Sequence, residues 1–72
     1  MEVRLFATLR EGRGKTADIP WHEGIDGHTI LRTLELEPED VKIFLINGLN
    51  SEPETILKPD DIIALFPAVG GG

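Results

Sequence analysis

The sequence predicts an α+β domain in which one helix lies across one face of a mixed sheet, and three features carry that prediction. Met1 to Thr8 alternates with period two: Val3, Leu5 and Ala7 fall on one side, Arg4, Phe6 and Thr8 on the other. That is the pattern of a half-buried strand. The stretch from Ile25 to Leu36 combines a capped start with an apolar stripe at helical spacing. Asn47-Gly48 follows an apolar run, and both residues tolerate the positive φ of a tight hairpin turn.

The elements follow in order. Glu11-Gly12-Arg13-Gly14 is a turn cluster, and Lys15 to Ile19 resumes an extended pattern, so the first two strands form a hairpin. Pro20 and Gly24 close the second strand. Asp26 is a good N-cap, because its carboxylate can accept from unpaired backbone N–H groups at the positive end of the helix dipole. Ile25 and Ile30 then stand at the two positions of a hydrophobic staple. Ile30, Leu31 and Leu34 form the inward stripe, and Pro38 is expected to stop the helix by about Leu36. Ile43 to Ile46 suits a buried strand, with a brief return strand near Leu49 to Ser51. Glu52 to Asp61 is a polar connection with two prolines. Ile62 to Phe66 is the last strand, ended by Pro67, which lacks a ladder donor.

At 72 residues one domain is the sensible count. Residues 1–67 are assigned to it and residues 68–72 to a flexible glycine-rich tail. Hydrophobic residues make up 40% of the chain, enough for one core. No apolar run approaches the roughly 18 residues of a spanning helix, and the N-terminus lacks a signal-peptide layout, so a cytoplasmic location is expected. There is no cysteine, which removes disulfides, thiolate zinc sites and a cysteine nucleophile together. Thirteen acidic against seven basic residues give a net charge of −6. Nucleic acid and anionic membranes are therefore poor partners, and a basic protein surface is a better one.

Certain segments resemble a known family. Leu5-Phe6-Ala7-Thr8-Leu9-Arg10-Glu11 is similar to the opening strand of MoaD, the small subunit of molybdopterin synthase. Glu23-Gly24, Ile46-Asn47-Gly48 and the run from Ala64 to Gly72 fit the same family in the same order. The chain thus resembles the MoaD/ThiS family of ubiquitin-like sulfur carriers, MoaD most of all. The resemblance implies a ubiquitin-like β-grasp, with the first and last strands parallel at the sheet centre. Two features depart from the family pattern: three terminal glycines in place of one small residue and a glycine pair, and a short Glu37–Lys42 segment. MoaD itself resembles ThiS of thiamine synthesis, carriers feeding other sulfur pathways, and small archaeal modifiers that are conjugated to lysines, so these are the alternatives the resemblance implies.

The tail has physical merits of its own. Residues 67–72 carry no charged side chain and reach at most about 20 Å from the sheet. Without a Cβ, Gly70 and Gly71 let the backbone pass a narrow channel. The one ionisable group there is the carboxylate of Gly72, a poor electrophile that must be activated before sulfur can replace oxygen. The resemblance implies how. A partner adenylyltransferase of the MoeB/ThiF type uses ATP to adenylate Gly72, sulfur transfer gives a thiocarboxylate, and a synthase large subunit of the MoaE type receives it. On that reading the chain binds no cofactor and is not itself an enzyme.

Strand phase also predicts a docking face. If Ile63 and Leu65 point to the helix, then Ile62, Ala64 and Phe66 point away, joined by Phe6 and Leu45 and bordered by Pro67. Such an apolar patch beside the tail exit marks a partner site. Other candidates carry less. His22 and His28, without cysteines, make a poor metal set. Asp60-Asp61 reads as turn chemistry. Gly12-x-Gly14 lacks the lysine spacing and following helix of a phosphate loop. Trp21 reads as cover for the core edge, Arg10-Glu11 as a local polar contact, and Glu37, Glu39, Asp40, Glu52 and Glu54 as a solvated acidic rim. Three function classes remain: a sulfur carrier, a lysine-conjugated modifier, and a plain binding module. No nucleophile, acid–base pair or metal cluster points to a stand-alone enzyme.

Overall fold

The first strand stops earlier than its alternation suggests, and the way it stops shapes the molecule. The computed structural model describes residues 1–68. Strand β1 spans Glu2–Leu5. Ala7–Arg10 then forms a 3-10 turn, opened by Ala7 at a φ of 52°. The Leu9 N–H donates to the Phe6 carbonyl at 3.2 Å, and Leu9 takes the core position that the alternation gives to Ala7, which is exposed. Period two fails here because the turn winds with period three.

Strand β2, Thr16–Asp18, pairs antiparallel with β1, with Val3 opposite Ala17. Helix α1, Gly27–Thr33, starts as the sequence predicts. The Asp26 carboxylate accepts from the Thr29 N–H at 3.0 Å, and the staple residues Ile25 and Ile30 are both fully buried. The helix ends at Thr33, earlier than a stop at Pro38 requires. Glu35 adopts a φ of 59°, its N–H donates to the Arg32 carbonyl at 3.0 Å, and the Leu36 N–H reaches the Leu31 carbonyl at 2.8 Å. This is a Schellman termination with Glu where glycine is usual, and its hydrophobic pair is Leu31 and Leu36, both in the core. Pro38 instead opens a 3-10 turn, Pro38–Asp40, in which Asp40 Oδ2 accepts from the Glu37 N–H at 2.9 Å.

Strand β3 runs Val41–Ile46 and is not buried on both sides. Phe44 faces the core, while Ile43 on the other side is 40% exposed. Asn47 and Gly48 have φ values of 53° and 83°, so both central residues are left-handed, as in a type I′ turn. The two-residue strand β4, Leu49–Asn50, returns along β3, with Leu45 opposite Asn50. Strand β5 spans Ile63–Pro67, one residue later than expected at each end. Pro67 is its last paired residue, opposite Val41, where its missing N–H costs least.

The sheet order is β2-β1-β5-β3-β4. Strands β1 and β5 are parallel neighbours at the centre, with Leu5 beside Leu65. Helix α1 covers one face, and its Ile30 and Leu31 join Val3, Leu5, Phe44, Ile63 and Leu65 in one core. This is the ubiquitin-like β-grasp. The connection after β4 is less polar than its sequence suggests. Leu57 within it is buried, its N–H donating to the Ile25 carbonyl at 2.8 Å. Trp21 closes the adjoining edge by donating from Nε1 to the Leu57 carbonyl at 2.9 Å.

Candidate docking face and tail exit

The face of the sheet away from α1 is set by the phase of β1, β3 and β5. Ile63 and Leu65 are fully buried toward the helix, so Ala64 and Phe66 lie on the open side. The pairing register lays out two rows. In one, Arg4 flanks Ala64, which faces Leu45, which faces Asn50. In the other, Phe6 meets Phe66, and Phe66 faces Ile43. Ile62 adjoins the first row at the start of β5, its N–H donating to Asn47 Oδ1 at 3.0 Å. The structure therefore brings Phe6, Leu45, Ile62, Ala64 and Phe66 onto one face, with Pro67 at its end.

Phe6 and Phe66 are stacked, with ring centroids 4.3 Å apart and planes 6° from parallel. Phe6 can stack because β1 has ended: its N–H still donates to the Leu65 carbonyl at 3.2 Å, and the chain turns just beyond it. The Arg10 guanidinium lies over the Phe6 ring, 5.3 Å from the centroid. Its Nε donates to the Leu5 carbonyl at 2.8 Å, so Arg10 turns to Leu5 and Phe6 rather than to Glu11. Phe6 thus touches both an aromatic ring and a cation, contacts favoured by the ring quadrupole.

The chain leaves the sheet beside this stack. The Ala68 N–H donates to the Asp40 carbonyl at 3.3 Å. A groove lined by Leu9, Arg13, Leu36, Asp40, Pro67 and Ala68 runs along the exit. Arg13 fixes one wall, its Nε donating to the Leu34 carbonyl at 3.0 Å. Gly70, Gly71 and Gly72, with Val69, lie outside the described residues.

Several polar residues have structural partners. Asp61 is nearly buried and accepts from Asn47 Nδ2 at 2.9 Å and from the Lys58 N–H at 2.8 Å. It is a latch between the β3–β4 turn and the entry to β5, which refines its reading as turn chemistry. His28 Nε2 stands 3.4 Å from Glu54 Oε1 on the helix side. Among the described residues no group of three or more His, Cys, Asp or Glu could hold a metal ion. Two open-face features go beyond the predicted patch. Ile43 shares its side by period two with Leu45, and Arg4 shares its side with Phe6, so the alternation already contained both signals.

Comparison with known proteins fits this geometry. A model described as the ThiS family matches residues 3–72. Among solved structures, a protein provisionally named molybdopterin converting factor, subunit 1, from Pyrococcus furiosus is similar over 94% of this chain and 95% of its own. The TM-score is 0.77 at 21% identity. Small archaeal modifier protein 1 of H. volcanii covers the same shares with a TM-score of 0.76 at 24% identity. The complex of subunits 1 and 2 of the molybdopterin-converting factor from Helicobacter pylori contains a chain similar over 99% of this one and 96% of its own. There the TM-score is 0.62 and the identity 27%. The comparison with curated proteins gives no match.

Proposed function

The chain belongs to the ThiS family, and from that premise we propose that it is a sulfur carrier adenylated and then thiocarboxylated at the carboxylate of Gly72. The observation that supports this most is the extent of the family match, which runs to Gly72 and so takes in the terminal glycines. In the proposed sequence the Gly72 carboxylate attacks the α-phosphorus of ATP on a MoeB/ThiF-type adenylyltransferase, and pyrophosphate leaves. Sulfur at the oxidation level of hydrosulfide then attacks the acyl carbon of the adenylate, the C–O bond to the phosphate breaks, AMP leaves, and the thiocarboxylate remains. The thiocarboxylate serves molybdopterin synthesis in a MoaE-type large subunit, a choice supported by the similarity to a chain in a subunit 1–subunit 2 complex. The domain ends and the tail begins near Pro67, and Gly70 and Gly71 provide passage. The carrier has no turnover and binds no cofactor of its own. No helix of the described residues is long and apolar enough to cross a membrane, and the proposed location is the cytoplasm.

The open face supports the same reading, because Phe6, Leu45, Ile62, Ala64, Phe66 and Pro67 form a hold for a partner next to the point where the tail departs. A second reading, supported by the likeness in fold to a small archaeal modifier, ends in an isopeptide bond from Gly72 to a lysine. A ThiS-like role in thiamine or another sulfur pathway uses the same steps. The test is pyrophosphate release when the chain is mixed with ATP and the host's adenylyltransferase. Release that disappears on deletion of Gly70, Gly71 and Gly72 together supports the proposal; release indifferent to that deletion contradicts it.

A further inference from the structure

We propose that the open face recognises a partner surface that sets carboxylates opposite Arg4 and Arg10 around an apolar recess for the Phe6–Phe66 stack. The proposal rests on the carrier reading above, because it takes the MoaE-type large subunit as the occupant.

The net charge of −6 by itself steers toward basic surfaces. The acids are not spread evenly, however. Glu35 and Glu37 line the helix side with His28 and Arg32, and Glu52 lines a groove beside Leu31. Glu54 stands by His28 on that side too. On the open face two acids occur among the described strand residues, and each has a local partner. Glu2 is bonded to Arg4 Nε, and Asp18, at the sheet edge, pairs with the Met1 ammonium at 3.2 Å.

Glu39 and Asp40 line the exit groove with Arg13, at the end of the face, and two arginines stand on the face itself. Arg4, its Nε engaged by Glu2, flanks Ala64 in the middle of the face and offers a partner its remaining guanidinium edge. Arg10 lies on Phe6 and is fixed there by its bond to the Leu5 carbonyl. Among the described residues its Nη groups make no hydrogen bond. A guanidinium already held on a ring and a carbonyl loses little freedom when a carboxylate docks, and its planar fork suits bidentate capture. Local charge rather than net charge acts at contact distance, since screening limits exposed charges to about 8 Å at physiological salt. The two arginines therefore set which apolar surfaces can dock, and the acidic helix side turns basic ones to a different approach.

Calorimetric titration of the host's MoaE-type large subunit tests this, using wild type, Arg4→Glu, Arg10→Glu, Arg10→Lys and the helix-side control Glu37→Lys. Each reversal is expected to weaken binding about tenfold or more, Arg10→Lys by less, and Glu37→Lys hardly at all. Wild-type affinity is expected to fall as salt rises from about 50 to about 500 mM. Thermal melts separate binding from folding. If Arg10→Glu does not fold, exposed Arg4→Glu and the salt series decide. Reversals that bind like wild type, or affinity indifferent to salt, overturn the inference. A wild type that accepts sulfur on Gly72 yet does not bind the large subunit overturns it while leaving the carrier reading intact.

Discussion

Glu35, like Ala7, carries a Cβ on a left-handed backbone. Its φ of 59° is a region that L-residues with a Cβ occupy at a cost of about 1 kcal/mol. The termination holds because Leu36 must return to the core against Leu31. Glu35→Gly is therefore expected to stabilise the domain by about 1 kcal/mol, raising the melting temperature by roughly 4–8 °C at unchanged denaturant slope. A lowered midpoint contradicts that account. At the other end of α1, the Thr29 backbone N–H bonded to Asp26 holds that carboxyl below its usual range. The Thr29 hydroxyl and the charges of His28 and Arg32 act in the same direction, and burial opposes them. A depressed carboxylate contributes stability that is present above its unfolded value, about 4, and lost as pH falls through the lower folded value. Asp26→Asn keeps the cap and should remove that slope in urea melts between about pH 5 and 2, whereas Asp26→Ala should cost about 1 kcal/mol at neutral pH.

Two elements meet in ways that pattern reading does not reveal. Gly27 opens α1 against the chain after β4. A Cβ there would lie 2.7 Å from Phe44 Cζ and 2.8 Å from the Pro53 Cα and carbonyl oxygen. Helix propensity favours Gly27→Ala, but packing forbids it, and we expect a loss of about 1–3 kcal/mol by chemical denaturation. A stabilised variant would mean that Pro53 yields freely. The Asn47–Asp61 latch likewise joins the β3–β4 hairpin to the start of β5. Helix start, hairpin turn and strand phase were all legible, because Asp26, Asn47-Gly48 and the Ile63/Leu65 alternation act locally. The early ends of β1 and α1 were not. Leu9 and Leu36 are drawn inward by a core assembled from distant segments, and period alone does not tell an inward Ala7 from an inward Leu9. Buried Leu57, in a stretch that reads as polar, was hidden for the same reason.

At the scale of the whole molecule, the open face of the sheet lies beside the point where the chain leaves β5. The predicted patch was legible, since side-chain alternation in β5 fixes it once one side is known to be buried. The contacts of Arg10 and Phe66 with Phe6 were not, because they depend on the turn that interrupts β1. Phe6→Asp should keep the domain folded, with a melting temperature lowered by the loss of the stack, and weaken large-subunit binding about tenfold or more by calorimetry. Unchanged affinity means the partner docks elsewhere. The central claim concerns Gly72. Intact-mass spectrometry of the protein from its native host tests it most directly. The account predicts a species heavier by the exchange of one oxygen for sulfur, with fragment ions placing the sulfur on Gly72. Ladders of lysine conjugates ending at Gly72, with no sulfur-bearing species, would contradict it.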